Sequence, residues 1–144
     1  MTRLLGRTLY LDSNVFIYVV EGVEPYATEL RPLFASVARG ETPVVTSEIT
    51  LGETLVKPFR LQDAALGAAY DDALHAFGVS LVPVSRAVLV QSARLRAMSR
   101  MKMPDAIHAA TAQLAGCSVL LTNDTGIVAV PGIDVARLSE IAHG

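Results

Sequence analysis

The chain has 144 residues, enough to bury a hydrophobic core, and we expect residues 1–144 to form one domain. Just over half of the residues are hydrophobic. However, no apolar run reaches the roughly eighteen residues of a membrane span, and no signal peptide is predicted. A net charge of −2 gives no global attraction to nucleic acid, and a single cysteine, Cys117, excludes an internal disulfide and favours the cytoplasm.

The first half of the chain alternates short apolar runs with helical patterns. Ser47 is a favourable N-cap, and the helix that it starts should end near Lys57 because Pro58 blocks extension. Gly40 stops the helix before it. The predicted elements are a strand over 9–12, helices over 14–20 and 25–39, a strand over 43–46 and a helix over 47–57.

The second half repeats this order. Gly78 and Gly116 end two of its helices, and Cys117, at the head of an apolar strand, is predicted to be a small buried hydrophobe. The predicted elements are helices over 63–77, 85–98 and 104–114, strands over 79–83 and 118–122, a possible fifth strand around 133–135 and a final short helix. Strands that alternate with paired helices predict a parallel sheet of four to five strands in a three-layer α/β/α domain.

Three aspartates stand where an apolar run or a proline meets a probable helix start, namely Asp12, Asp105 and Asp124, and Glu53 lies within a helical pattern. In an α/β fold the carboxyl ends of parallel strands share one edge, where sites form. Carboxylates brought together there would repel each other unless a cation lay between them. The leading hypothesis is therefore a divalent-metal site. For any one of these aspartates taken alone, capping of a helix is the favoured explanation.

Basic residues collect just before Asp105, and no acidic residue interrupts residues 73–104. A phosphodiester enzyme needs cations to hold the backbone beside carboxylates that hold metal. A solvated helix face is the alternative. The basic residues concerned are Arg86, Arg94, Arg96, Arg100 and Lys102, of which the last four are the candidate RNA backbone contacts.

Four segments resemble, in the same order, the motifs of PIN-domain nucleases. They are Leu11–Tyr18 (LDSNVFIY), Thr46–Leu55 (TSEITLGETL), Met103–Ala112 (MPDAIHAATA) and Leu121–Asp124 (LTND). The third segment is the most specific, and the resemblance spans nearly the whole chain. The size is similar to that of the VapC-type ribonuclease toxins of bacterial and archaeal toxin–antitoxin pairs.

The resemblance implies Mg²⁺- or Mn²⁺-dependent hydrolysis of RNA by four acidic residues, Asp12, Glu53, Asp105 and Asp124. Asp12 and Asp105 are the expected direct metal ligands, while Asp124 would bind a second metal or a coordinated water and Glu53 would orient a water. Hard divalent cations favour such oxygen ligands. Side chains expected to hydrogen-bond these carboxylates or a metal-bound water are Ser13, Asn14 and Thr122.

The resemblance also implies partners. VapC-type proteins commonly form homodimers and are inhibited by a small antitoxin that inserts a segment near the active site. The apolar helices over residues 14–37 and 47–59 are the expected groove for it.

Some positions stay open. Glu48, in the first turn of its helix, rivals Glu53 for the fourth acidic position, although motif register favours Glu53. Ile127 stands where the family often has an aromatic, so the loop after Asp124 is expected to pack differently. His108 follows Asp105 by one helical turn and could contact phosphate or metal. A partly exposed helix residue without a catalytic role is the preferred interpretation of His108.

Two other classes compete. A catalytically silent PIN-like module would bind RNA or protein without cleavage. A phosphate-transfer domain of the same layout is disfavoured, because Asn14 stands where a haloacid-dehalogenase-type phosphatase has a second aspartate. The paired acids and the late lysine of a response-regulator receiver are also missing from the sequence.

Overall fold

A computed structural model of the protein describes residues 2–142. Short apolar runs form the central strands, and four helices begin where an oxygen-bearing side chain caps them, namely at Asp12, Ser47, Asp63 and Ser85. The strands are β1 (Leu9–Leu11), β2 (Val44–Ser47), β3 (Val79–Val82), β4 (Val119–Thr122) and β5 (Asp134–Arg137). The helices are α1 (Ser13–Glu21), α2 (Tyr26–Ala38), α3 (Glu48–Thr54), α4 (Val56–Leu61), α5 (Ala64–Leu74), α6 (Arg86–Ala97), α7 (Met103–Leu114) and α8 (Leu138–Ala142), with a short 3-10 turn at Thr2–Leu4.

The five strands form one parallel sheet in the order β3-β2-β1-β4-β5. Central strand β1 pairs on both sides, so that Leu9 lies opposite Val44 of β2 and Val119 of β4. Along the chain, β2 and β3 are added on one side of β1, and β4 and β5 are then added on its other side. This places a topological switch point between β1 and β4. The predicted parallel sheet and three-layer α/β/α class are confirmed.

Alternating residues of the central strands build two cores, one on each face of the sheet. Leu9 and Leu11 face the helices α1, α2 and α5, whereas Tyr10 and Leu120 face α6 and α7. All four of these side chains are fully buried. Coverage on both faces explains why the strands are continuous apolar runs in the sequence.

The region around Pro58 differs from the prediction. The helix expected over 47–57 ends at Thr54, and a second helix, α4, begins at Val56 and includes Pro58. Pro58 stands in the first turn of α4, where its missing N–H would have no intrahelical acceptor. The expectation that Pro58 blocks a helix was therefore wrong, because a new helix starts two residues before it.

The predicted burial of Cys117 is confirmed, since its side chain is 3% exposed. Burial also raises the pKa of its thiol to about 11. Over residues 2–142, no helix has both the length and the apolar character needed to cross a membrane.

Candidate active site

The carboxyl ends of β1 and β4 meet at the switch point and bring two acidic residues to one edge of the sheet. The backbone N–H of Asp12 donates to Leu121 O at 3.0 Å, which ties the end of β1 to β4. Asp12 then caps α1. Asp124 follows β4 by two residues, and its backbone N–H donates to Thr122 Oγ1 at 2.9 Å. The predicted position of these aspartates at the sheet edge thus follows from strand pairing.

Asp12 is buried, and the chain surrounds its carboxylate with donors. Oδ1 accepts from the Ser13 backbone N–H at 2.7 Å, and Oδ2 accepts from Thr122 Oγ1 at 2.6 Å. The Ser13 hydroxyl lies 3.4 Å from Oδ1, and Asn14 Nδ2 lies 3.4 Å from Oδ2. Ser13, Asn14 and Thr122 therefore lie beside the carboxylate. Thr122 Oγ1 links two acids, because it donates to Asp12 and accepts from the backbone of Asp124.

Glu53, on α3, joins the carboxylate cluster through its contact with His108. His108 Nε2 lies 2.7 Å from Glu53 Oε1 and 3.2 Å from Asp12 Oδ1, and Tyr10 OH lies 2.5 Å from His108 Nδ1. The side chain of His108 is 1% exposed. The expected partial exposure of His108 was therefore wrong: α7 is packed against the sheet at this turn, so the ring faces Tyr10 of β1.

Burial by itself lowers the pKa of His108, but the hydrogen bond to Glu53 and the charges of Asp12, Glu53 and Asp105 act in the opposite direction. The net effect raises the pKa above its ordinary value. The Tyr10 hydroxyl keeps its proton, because burial and then the charge of Asp12 raise its pKa well above the usual range. The inner part of the cluster is therefore a network of satisfied hydrogen bonds.

Asp105 and Asp124 form a second, more open part of the cluster. Burial, the hydrogen bond with Asp124 and the charges of Asp124 and Asp12 raise the pKa of Asp105 to about 7. Gly126 closes over both side chains. A Cβ there would lie 2.5 Å from Asp105 Oδ2 and 3.1 Å from Asp124 Oδ1, so a side chain at this position would displace the carboxylate of Asp105. The structure thus places carboxylate against carboxylate at this point.

Arg137 of β5 holds the loop that follows Asp124. Its Nη1 donates to the carbonyl oxygen of Asp124 at 2.6 Å and its Nη2 donates to that of Ile127 at 2.8 Å. The Ile127 side chain is fully buried. A hydrophobic core residue therefore replaces the family's aromatic here. Arg137 was not predicted from the sequence, because nothing near Asp124 in the chain indicates which distant residue supports the loop.

An open cavity of about 460 Å³ lies over Asp105 and Asp124. Of the four candidate RNA contacts, Arg100 and Lys102 line this cavity. Arg94 and Arg96, on α6, instead hydrogen-bond Gln91 and the carbonyl of Met101. Glu48 lies exposed in the first turn of α3, outside the cavity. The lining residues are Glu53, Arg100, Lys102, Pro104, Asp105, Asp124, Thr125 and Gly126.

The family model described as PIN domain matches residues 9–133, which is most of the chain. The chain belongs to the PIN domain family. No curated protein matches its sequence.

Solved structures share the PIN fold of this chain at low identity. A toxin–antitoxin complex from Klebsiella pneumoniae is 24% identical with a TM-score of 0.66, over 87% of this chain and 94% of that one. VapBC2 from Rickettsia felis, bound to a promoter DNA fragment, is 17% identical with a TM-score of 0.69, over 90% and 98%. Mycobacterium tuberculosis VapC20, a sarcin–ricin loop cleaving toxin, is 17% identical with a TM-score of 0.63, over 78% and 86%.

The donor set of this PIN domain fits a hard divalent cation. Asp12, Glu53 and His108 each offer one ligand atom, and these atoms lie within 4.8 Å of one another. Asp105 and Asp124 add carboxylates whose mutual repulsion a cation would relieve. Carboxylate oxygens suit Mg²⁺ and Mn²⁺, whereas structural zinc sites favour thiolate and imidazole ligands.

Proposed function

We propose that this PIN domain is a Mg²⁺- or Mn²⁺-dependent endoribonuclease and the toxin of a type II toxin–antitoxin pair. The observation that carries the proposal is the contact between Asp105 and Asp124 in a cavity lined by Glu53, where burial and then Asp124 raise the pKa of Asp105 to about 7. Such crowding of acids destabilises the site unless a cation occupies it, and perturbed acids in a cleft are typical of functional sites.

Different residues of the site would have different roles in phosphodiester hydrolysis. Asp12 and Asp105 would hold the metal directly, with Asp124 serving a second ion or a coordinated water and Glu53 orienting a water. When bound, the metal supplies an activated water and neutralises charge on the phosphoryl oxygens. Arg100 and Lys102, at the cavity rim, would hold the RNA backbone as cations that contact phosphates.

The toxin assignment rests on the family and on the solved relatives. Two of those relatives come from toxin–antitoxin complexes, and the third, VapC20, is a toxin that cleaves the sarcin–ricin loop. A toxin that cleaves RNA in its own cell would act in the cytoplasm, in accord with one cysteine and no disulfide.

An apolar groove of about 560 Å³ between α4 and α5 is the proposed antitoxin site. Leu55, Pro58 and Phe59 line one side of the groove, within the segment 47–59 that the sequence indicated, and Phe59 is 73% exposed. Exposed apolar grooves of this kind accept an apolar segment of a partner. The 14–37 helices do not line it.

We also propose a homodimer, and a monomer mass in size-exclusion light scattering at micromolar concentration would contradict it.

The experiment that tests the nuclease is cleavage of a mixed RNA substrate with Mg²⁺, with Mn²⁺ or with EDTA. Asp105→Asn is the matched variant, because it removes one charge at nearly constant volume. We expect cleavage that requires metal and is lost in Asp105→Asn. Metal-independent RNA binding without cleavage would contradict the proposal and favour a silent binding module. Unchanged cleavage by folded Asp105→Asn would contradict the assigned site.

A further inference from the structure

We propose that His108 and Tyr10 are positioning residues that hold Glu53 in the acidic cluster, with Tyr10 fixing the imidazole so that Nε2–H donates to Glu53. The inference deepens the proposed nuclease function and rests on it for its activity readout. It concerns three hydrogen-bonded side chains from three elements: Tyr10 on β1, His108 on α7 and Glu53 on α3.

The proton on Nε2 follows from its neighbours. Nε2 lies 2.7 Å from Glu53 Oε1 and 3.2 Å from Asp12 Oδ1, and ionised carboxylates accept hydrogen bonds but do not donate them. Nε2 must therefore carry the hydrogen. In the neutral ring, Nδ1 is then an acceptor, and Tyr10 OH, 2.5 Å away, is its donor. In the cationic ring Nδ1–H donates to Tyr10 instead, so Nε2–H is directed at Glu53 in either charge state.

Tyr10 and His108 are buried, whereas Glu53, the residue that they hold, is partly exposed. Tyr10 is fully buried and the His108 side chain is 1% exposed, but that of Glu53 is 35% exposed at the cavity rim. A glutamate side chain on a helix surface loses substantial rotamer freedom when it is fixed in one place. Hydrogen bonds from a packed ring reduce the number of orientations that Glu53 can adopt, as outer residues do for metal ligands.

Direct metal ligation by His108 is the competing role. Metal–nitrogen and metal–oxygen bonds of about 2.0–2.2 Å keep ligand atoms on one ion about 3 Å or more apart. The 2.7 Å separation of Nε2 and Glu53 Oε1 is shorter than this and is a normal hydrogen-bond distance. The geometry therefore favours donation to Glu53.

Tyr10→Phe tests the chain with the loss of one oxygen atom, and this protein contains a matched control. Tyr70 is also buried, and its hydroxyl donates to a glutamate, Glu21, away from the acidic cluster. We expect Tyr10→Phe to lower kcat about tenfold with less than a twofold change in KM, at the lower end of effects for residues that orient ligands. Tyr70→Phe should leave kcat and KM unchanged. Equal behaviour of the two variants would overturn the proposal.

A double-mutant cycle separates positioning from general support of the fold. The Mn²⁺ dissociation constant is measured by calorimetry for wild type, Tyr10→Phe, Glu53→Ala and the double variant. Tyr10→Phe should weaken Mn²⁺ binding severalfold in the wild-type background and less than twofold in the Glu53→Ala background. The same weakening in both backgrounds, or none in either, would overturn the role through Glu53. His108→Gln, which keeps an amide donor, should retain more activity than His108→Leu.

Nitrogen NMR of the histidine ring in metal-free protein gives a readout that needs neither metal nor RNA. We expect His108 to carry a proton on Nε2, with its resonance altered in both Tyr10→Phe and Glu53→Ala and unaltered in Tyr70→Phe. A ring with bare Nε2 would overturn the proposal. If wild type binds Mn²⁺ without cleaving RNA, the nuclease proposal fails while the calorimetric cycle still decides this one. If it binds no Mn²⁺, the ring spectrum decides.

Discussion

The acidic cluster has two halves that are built differently. In the inner half, Asp12 is buried among donors from Ser13, Thr122 and His108. In the outer half, Asp105 and Asp124 face each other, and burial followed by the interaction with Asp124 raises the pKa of Asp105 to about 7. The carboxylate of Asp12 thus has donors from three residues, whereas in the outer half the Gly126 N–H donates to Asp124 Oδ1 at 2.8 Å and Asp105 faces the charge of Asp124.

The two halves differ in how far the protein itself holds the carboxylates before a cation binds. A carboxylate that accepts several hydrogen bonds is fixed before any ligand arrives. Two carboxylates in contact keep a proton between them, or a cation, at neutral pH. We therefore expect the inner half to set geometry and the outer half to set the dependence on metal.

The largest expected effect is common to both halves. Asp12→Asn and Asp105→Asn should each lower RNA cleavage more than about a hundredfold, because each removes a charge that would hold the cation and so stabilise the transition state. Initial rates with saturating Mg²⁺ measure this. Ser80→Ala, at an exposed residue of edge strand β3, is the control and should keep full activity. A loss confined to one half would show that the other is dispensable.

Stability should then distinguish the halves. Asp12→Asn replaces an acceptor oxygen with an amide that faces existing donors, so we expect a loss of about 1–3 kcal/mol in the free energy of unfolding. Asp105→Asn removes repulsion and should cost nothing in metal-free protein. Urea unfolding in EDTA at neutral pH measures both. Equal destabilisation of the two variants would break the distinction.

The outer half should depend on Arg137. Arg137→Leu removes both hydrogen bonds that hold the loop of Asp124, so we expect about tenfold weaker Mn²⁺ binding in calorimetry. Arg7→Leu is the matched control, because Arg7 pairs with Asp134 at the other end of β5. The signature of the inner half, a protonated His108 Nε2, should persist in Arg137→Leu. Unchanged Mn²⁺ affinity would show that the loop holds Asp124 without Arg137.

The smallest expected effect is a pH dependence of stability. The pKa of Asp105 rises from 3.8 to about 7 on folding, so its folded state favours the proton. This contribution is complete below about pH 4 and is lost as pH rises through 7. Because Asp105 is partly exposed, we expect a loss of only about 1 kcal/mol. The unfolding free energy of wild type relative to Asp105→Asn, in EDTA from pH 5 to pH 8, measures it; a flat difference would contradict it.

Strand ends made much of this site predictable. Asp12 and Asp124 follow apolar runs that could only be buried strands, and parallel strands bring their carboxyl ends to one edge. Asp105 followed from the proline before it and from its motif. Glu53 needed the motif as well, because a helical glutamate by itself is most often a surface residue.

The residues that support these acids could not be predicted from the sequence. Tyr10 and His108 are 98 residues apart, and their contact depends on how α7 packs on β1. His108 follows Asp105 by one helical turn, so the sequence predicts which face of the helix it occupies. The sequence does not predict how deeply its side chain is buried. Arg137 likewise lies on β5, beyond the residues 9–133 that match the family model, and its contacts depend on the pairing of β5 with β4.

The burial of Cys117 has a practical consequence for spectroscopy. The single thiol of the chain is nearly inaccessible, and with a pKa of about 11 it forms little of the reactive thiolate at neutral pH. A probe attached through Phe59→Cys or Lys102→Cys would therefore label one site without prior removal of the native cysteine. Fluorescence from those two positions would test the proposed partner site at the groove and the proposed RNA site at the cavity separately, with Cys117 retained.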